Sequence, residues 1–154
     1  MPVWSLNKVA SELEALRKNK KIVFTNGCFD ILHVGHLRYL QDAKALGDFL
    51  IVGLNSDASV RALKGDQRPI QSEEDRAEML LGLSCVDATV IFGDETPIEL
   101  IKKVRPDVLV KGGDWKVDQI VGSDFVMSYG GVVKSLPFHQ GRSTSNIVNK
   151  ILNP

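Results

Sequence analysis

The chain has 154 residues, 44% of them hydrophobic and 25% charged, enough for one domain with a single sizeable core and too little for two ordinary ones. Lysine plus arginine and aspartate plus glutamate both number 19, so no excess positive field attracts nucleic acid or an anionic membrane, and an anion must be caught locally. The longest apolar run, Phe49 to Leu54, is too short for a membrane span and no basic-then-apolar leader is visible, so a soluble cytoplasmic domain over 1–154 is expected.

Leu6, Val9, Leu13 and Leu16 recur at helical steps, predicting an amphipathic helix from Ser5 to about Lys18 within an N-terminal helical extension, 1–20. "KIVFTNG" reads as a buried strand ending in a turn. From Gly35 the pattern is helical, with Leu37, Leu40, Ala43 and Leu46 three apart and Gly47 at a C-cap position. "FLIVGL" is a second strand. "NSDASVRALKGDQRPIQ" opens with a cap-like Asn-Ser-Asp, turns helically through Ala62, and breaks at Gly65 and Pro69 into a charged loop. "SEEDRAEMLLGL" is a helix capped by Ser72 with acidic residues in its first turn. "VDATVIF" is a third strand, "PIELIKKV" a helix with Pro97 in its first turn, "DVLVKGG" a fourth strand, "VVKSL" a fifth, and "STSNIVNKIL" the closing helix.

Strands alternating with helices, and apolar enough to be covered on both faces, predict a doubly wound α/β domain with a five-stranded parallel sheet. Ligands of such sheets bind at the carboxyl ends of the strands, where strand order reverses. Four polar stretches fall on that rim: Gly27 to Gly35, Asn55 to Arg68, Lys111 to Lys116 and Phe138 to Ser145. Cys28 and Cys85 lie far apart with no CxxC pair, which predicts free thiols. A zinc site is weakly supported, because His139 has no cysteine or acidic neighbour at ligand spacing to complete a set with His33 and His36.

The stretch "TNGCFDILHVGHLRYL" carries the chemistry. Two histidines three apart serve as a cap or a polar edge as readily as a site. His36, however, sits in a helix's first turn, where free N–H groups and the dipole favour an anion, and the small Gly35 is expected to admit a nucleotide backbone or ribose.

These residues resemble the (T/S)xGxFDxxHxGH signature of the cytidylyltransferase-like nucleotidyltransferases, which pair it with a downstream STS or STT helix start, here "GRSTSNIV". The resemblance continues through "NSDASVRALKGDQRPI", "EEDR" and "LVKGGDWK" and spans about Lys21 to Leu152. Within that superfamily the words are most similar to the heptose 1-phosphate adenylyltransferases, which make ADP-heptose for lipopolysaccharide and are often fused to a sugar kinase; this length resembles the stand-alone form. The implied fold is Rossmann-like, of the HxGH nucleotidyltransferase kind. The implied reaction is attack of a sugar 1-phosphate on the α-phosphate of ATP, with Mg²⁺ bridging the nucleotide phosphates and no metal held by the protein alone. A homodimer is also implied, for which the N-terminal helix offers a surface.

By the same resemblance His33, His36 and Lys64 are catalytic, holding phosphate oxygens as charge builds. Thr25, Asn26, Gly27, Cys28 and Phe29 line the triphosphate path with Gly35; Arg76 helps at the anionic centre; Ser143, Thr144 and Ser145 cradle pyrophosphate; Asp114, after Gly113, accepts a ribose hydroxyl. Asp30, Lys64 and Arg142 are the expected substrate contacts. Each has a structural alternative: Asp30 fixes a turn, Cys28 is a packing residue rather than a thiol of lowered pKa, Ser143 is only an N-cap, Lys64 is surface charge, and Trp115 shields a strand end. Phe138 stands where cytidylyltransferases acting on glycerol phosphate carry an arginine, which argues against that branch and leaves Arg142 without a fixed role. Two further readings stay open: the same chemistry on another phosphorylated acceptor, such as glycerol 3-phosphate, an amino-alcohol phosphate or phosphopantetheine, and a non-catalytic nucleotide-binding module.

Overall fold

β-branched and aromatic residues in short runs, separated by glycine, proline and capped helix starts, form the frame that the alternation predicts. The structure, a computed structural model, describes residues 3–139 and 141–154. Strands β1 (Val3–Trp4), β2 (Ile22–Gly27), β3 (Phe49–Asn55), β4 (Ala88–Phe92), β5 (Val108–Gly112) and β6 (Val132–Leu136) make one all-parallel sheet in the order β1-β4-β3-β2-β5-β6. Helices α1 (Val9–Leu16), α2 (Val34–Lys44), α3 (Asp57–Lys64), α4 (Glu73–Leu81), α5 (Ile98–Val104), α6 (Ser123–Ser128) and α7 (Thr144–Leu152) connect and cover it.

Alternate strand residues serve opposite faces, as the pleat requires. Ile22 and Phe24 join Val9, Leu13, Leu100, Ile101 and Val126 beneath α1, α5 and α6. Val23, Leu50 and Val52 join Leu40, Ala43, Ala77 and Leu80 beneath α2 and α4. Both layers are buried, which is why these strands read as nearly continuous apolar runs.

The five expected strands are joined by a sixth, because Val3 and Trp4 pair in register with Thr89 and Val90 at the sheet edge. A two-residue strand carries no periodicity to read. The N-terminal helix begins at Val9 rather than Ser5, since Ser5 to Lys8 forms a turn, and its apolar residues Val9 and Leu13 are fully buried in the core layer that holds α5. That face is therefore occupied within the chain instead of presenting a dimer surface. At its end the Arg17 guanidinium donates to the carbonyls of Val104 and Arg105, closing α1 onto the end of α5.

Gly47 is not the cap of α2. The helix ends with Ala45 at its cap position, and glycine is needed two residues later because a Cβ there would stand 2.6 Å from Cγ2 of Val23 and 2.7 Å from the Lys21 carbonyl. Pro97 is the N-cap of α5 rather than a residue of its first turn. Helix α6 and the 3₁₀ turn Val117–Gln119 escape sequence reading because six and three residues are too short to show a helical period. Among the described residues no helix is long and apolar enough to cross a membrane.

Candidate active site

Strand order reverses at β2, from which the chain passes to β3 and β4 on one side and later to β5 and β6 on the other. The carboxyl ends of β2, β5 and β6 open there into a cleft of about 600 Å³. Its floor is Asn26 to Asp30. One wall is the start of α2, another the approach to α7, and the third the segment leaving α3.

The start of α2 is fixed by its own histidines. His33 is the N-cap, its Nδ1 accepting the Gly35 N–H at 3.0 Å, while Nδ1 of His36 accepts the His33 N–H at 3.3 Å. Both rings thus satisfy donors that a helix start leaves open, so the capping alternative describes this geometry. It also settles the tautomer. A neutral imidazole that accepts at Nδ1 carries its proton on Nε2, and neither Nε2 has a partner among the described residues. The rings stack with centroids 3.9 Å apart, and the edge of Phe29 meets His36 at 5.3 Å.

Burial, then the nearby His33 ring and the Lys64 charge, push the pKa of His36 down to about 4, and burial also lowers that of His33. At neutral pH the pair consists of two uncharged N–H donors. Gly35 makes this packing possible: a Cβ there would lie 2.8 Å from Cε1 of His33 and 2.9 Å from Cβ of Arg142. The space that a Cβ would need is filled by protein, while Gly35 itself lines the cleft. Gly27 is similar, since Phe29, at φ 45°, lays its ring 2.9 Å from where a Cβ would stand.

At the second wall Ser143 caps α7, its Oγ accepting the Asn146 N–H at 3.0 Å, and Thr144 Oγ1 donates to the Ile31 carbonyl at 3.1 Å. Ser145, Arg142 and Asn146 line the cleft beside them. At the third wall stand Lys64, the last residue of α3, and Arg68. Arg68 Nε donates to Asp30 at 2.7 Å, and the Asp30 carboxylate also accepts the backbone N–H groups of Ile70 and Gln71. Burial alone would raise the Asp30 pKa; those N–H donors and Arg68 outweigh it and hold the carboxyl below its usual value. Asp30 thus fixes the loop, the structural alternative.

Several expected contacts lie elsewhere. Thr25 is fully buried and shares a 2.6 Å hydrogen bond with the Tyr39 hydroxyl, so its side chain does not line the cleft. Arg76 is fully buried, its guanidinium donating to the carbonyls of Cys28, Asn55 and Gln71 and to the Asp57 carboxylate. It ties the ends of β2 and β3 to α4 and supplies no donor to the cleft, because the carbonyls that those turns leave unpaired need it. Gly113 and Asp114 also stand outside the lining, Gly113 buried at positive φ and Asp114 exposed beside it. Cys28 does line the cleft, but burial raises its pKa more than Lys64 and Arg76 lower it, so it is not an activated thiol. Trp115 donates its Nε1–H to the Gly112 carbonyl and is half-exposed.

The structure adds Tyr39, Arg68, Lys111, Phe138 and His139 to the lining. Tyr39 and Arg68 lie within "GHLRYL" and "KGDQRP", and Lys111, Phe138 and His139 within the stretches expected on the rim; which of them face the cleft depends on how the strands end. Both cysteines are free thiols. No cluster of three or more histidine, cysteine or acidic side chains suited to a metal occurs among the described residues, and the one carboxylate lining the cleft, Asp30, is already occupied by three donors.

A parallel sheet with a donor-lined cleft at its switch point defines a nucleotide-binding type of α/β domain. The fold is shared with a pantoate-beta-alanine ligase of Francisella tularensis, at TM-score 0.64 and 16% identity over 94% of this chain and 69% of that one. The model of the cytidylyltransferase-like family matches residues 24–148, and the chain belongs to that family. It is 59% identical to bifunctional protein HldE of Wolinella succinogenes over 147 residues, 96% of this chain and 30% of that protein. The corresponding protein of Geobacter metallireducens is 56% identical over 149 residues, again 96% of this chain and 30% of the relative. The chain therefore spans about 30% of the length of these curated relatives. A lipopolysaccharide core biosynthesis protein of Thermoplasma volcanium is similar in structure, with TM-score 0.65 and 30% identity, over 80% of this chain and all of that one.

Proposed function

We propose that this domain is a heptose 1-phosphate adenylyltransferase, joining ATP and D-glycero-D-manno-heptose 1-phosphate to give ADP-heptose and pyrophosphate for lipopolysaccharide. The observation that carries the reading is the histidine pair. Two imidazoles locked with Nε2–H unpartnered, at a helix start beside Lys64 and Arg142, suit a polyphosphate whose charge increases during reaction. Identity of 56% and 59% to HldE proteins over nearly the whole chain supports the choice of substrate.

The chemistry needs no protein nucleophile. An oxygen of the sugar phosphate, already anionic, attacks the α-phosphorus of ATP; the bond from that phosphorus to the bridging α,β-oxygen breaks, and pyrophosphate leaves with its electron pair. His33 and His36 hold the α- and β-phosphate oxygens. The start of α7, with Ser143, Thr144, Ser145 and Arg142, receives the pyrophosphate, and Lys64 neutralises the reacting centre from the other side. Mg²⁺ carried with the nucleotide would supply further neutralisation of phosphate charge; among the described residues no carboxylate set for the ion lines the cleft. A homodimer remains part of the proposal, its interface lying elsewhere than the buried face of α1.

Pyrophosphate release tests this directly. The domain is mixed with Mg²⁺, ATP or CTP, and heptose 1-phosphate, glycerol 3-phosphate or phosphoethanolamine. Release with ATP and the heptose phosphate alone is expected. CTP dependence or a preference for another acceptor reassigns the substrate, and nucleotide binding without turnover with any acceptor overturns catalysis.

A further inference from the structure

The cleft offers a further candidate anion-binding group that is not among the expected contacts. Arg68 lies in the charged loop between α3 and α4, yet its side chain is only 17% exposed and lines the cleft. Its Nε is tied to Asp30 at 2.7 Å, and that carboxylate, 1% exposed, is itself immobilised by the N–H groups of Ile70 and Gln71. Both terminal nitrogens of Arg68 are without a hydrogen-bond partner among the described residues. A guanidinium anchored at Nε and free at both Nη atoms keeps a planar edge of donors suited to two oxygens of one phosphate. The side chain is partly buried and lines the cleft, so these two donors lie within reach of an anion that enters it.

Topology decides which anion. The segment bearing Lys64 and Arg68 follows β3, whereas Arg142 and the start of α7 follow β6, and β3 and β6 lie on opposite sides of β2. Arg142 is packed against Gly35 at the histidine wall. In-line displacement places the attacking and leaving oxygens on opposite sides of the phosphorus. With pyrophosphate leaving toward α7, the attacking phosphate enters from the β3 side, where Arg68 stands.

Resting on the adenylyltransferase reading, we infer that Arg68, held in place by Asp30, binds the phosphate of the incoming sugar phosphate and so selects the acceptor rather than the nucleotide. Asp30 is accordingly a positioning residue that acts through Arg68 without touching substrate. Arg68→Gln and Arg68→Lys test the first role and Asp30→Asn the second, each variant first shown to melt as a folded domain. Steady-state kinetics are expected to show KM for heptose 1-phosphate raised by about 10- to 100-fold in Arg68→Gln, the scale of one lost charge-assisted contact. KM for ATP should stay within about twofold of wild type. Arg68→Lys should recover part of the loss and Asp30→Asn should show a smaller loss with the same split. Equal rises in both KM values, or no change in the acceptor KM, would overturn the inference.

Calorimetric titration of heptose 1-phosphate into the nucleotide-loaded wild type and Arg68→Gln separates this inference from the functional one. Binding that depends on Arg68 without turnover removes the proposed reaction and retains the subsite. Turnover with unchanged acceptor binding in Arg68→Gln removes the subsite alone, and no binding of the sugar phosphate to wild type removes both.

Discussion

Two helix starts face the same cleft, and they are built differently. α2 is anchored along its length by Gly35, Tyr39, Leu40 and Ala43, all buried, and its first turn is closed by two histidine side chains. α7 buries none of its residues, leaves Ile151 and Leu152 about 70% exposed, and is tied at its start by the Ser143 cap and the bond from Thr144 to Ile31. On the proposed reading both meet the polyphosphate, α2 through the Nε2–H groups of its two capping histidines, which are set before any ligand arrives, and α7 through a start held by few contacts. Preorganised donors stabilise developing charge most, because they need no rearrangement during reaction. A helix with little burial yields more readily, which suits release of a product. On the proposed reading, the difference suits α2 to the chemistry and α7 to handling the product.

Substitutions can break that contrast. His36→Ala removes one fixed donor from α2, and turnover should fall by about a hundredfold or more, the usual scale for a lost transition-state contact, while the melting curve stays cooperative. A rate near wild type in a pyrophosphate-release assay would move the chemistry away from α2. Gly35→Ala forces a Cβ to within 2.8 Å of the His33 ring and 2.9 Å of Arg142. It should cost about 1–3 kcal/mol in denaturant unfolding, as overpacking does.

Acid should test the start of α2 further. The His36 pKa is about 4 in the fold against 6.5 for the free side chain, so between these values the unfolded chain binds more protons than the folded one. Stability is therefore undiminished by this group above about pH 6.5, falls as the pH drops through that window, and has lost its full share, on the order of 3 kcal/mol, below about pH 4. Urea midpoints measured across this range should show the loss in wild type and a shallower one in His36→Ala.

Ser143→Ala should cost α7 about 1 kcal/mol, the common value of an N-cap, visible as faster amide exchange confined to α7 with the sheet unaffected. The inhibition constant for pyrophosphate should weaken by several-fold. Ile151→Ser, at a side chain 70% exposed, should change the unfolding free energy by less than about 0.5 kcal/mol. A larger effect would mean that α7 is covered in solution.

The frame was legible because the alternation of strand and helix survives in the order of apolar runs, and because Ser56, Ser72 and Ser143, each accepting an N–H three residues on, announce helix starts. What misled sequence reading was side-chain direction. Arg76, Thr25 and Asp114 belong to motif words, yet the first two are fully buried and the third is exposed outside the cleft lining. Arg68 is not among the expected contacts, because the partner that orients it, Asp30, is remote in sequence.

By itself the sequence determined the parallel α/β plan, the placement of the histidine-bearing turn at a strand's carboxyl end, and the capped start of the last helix, because each depends on local period and on turn and cap chemistry. Only the tertiary structure decided which polar side chains face the cleft and which brace it. That outcome rests on contacts between residues far apart in the chain, where a buried donor or acceptor must find its partner and the fold, not the neighbouring letters, brings that partner within reach.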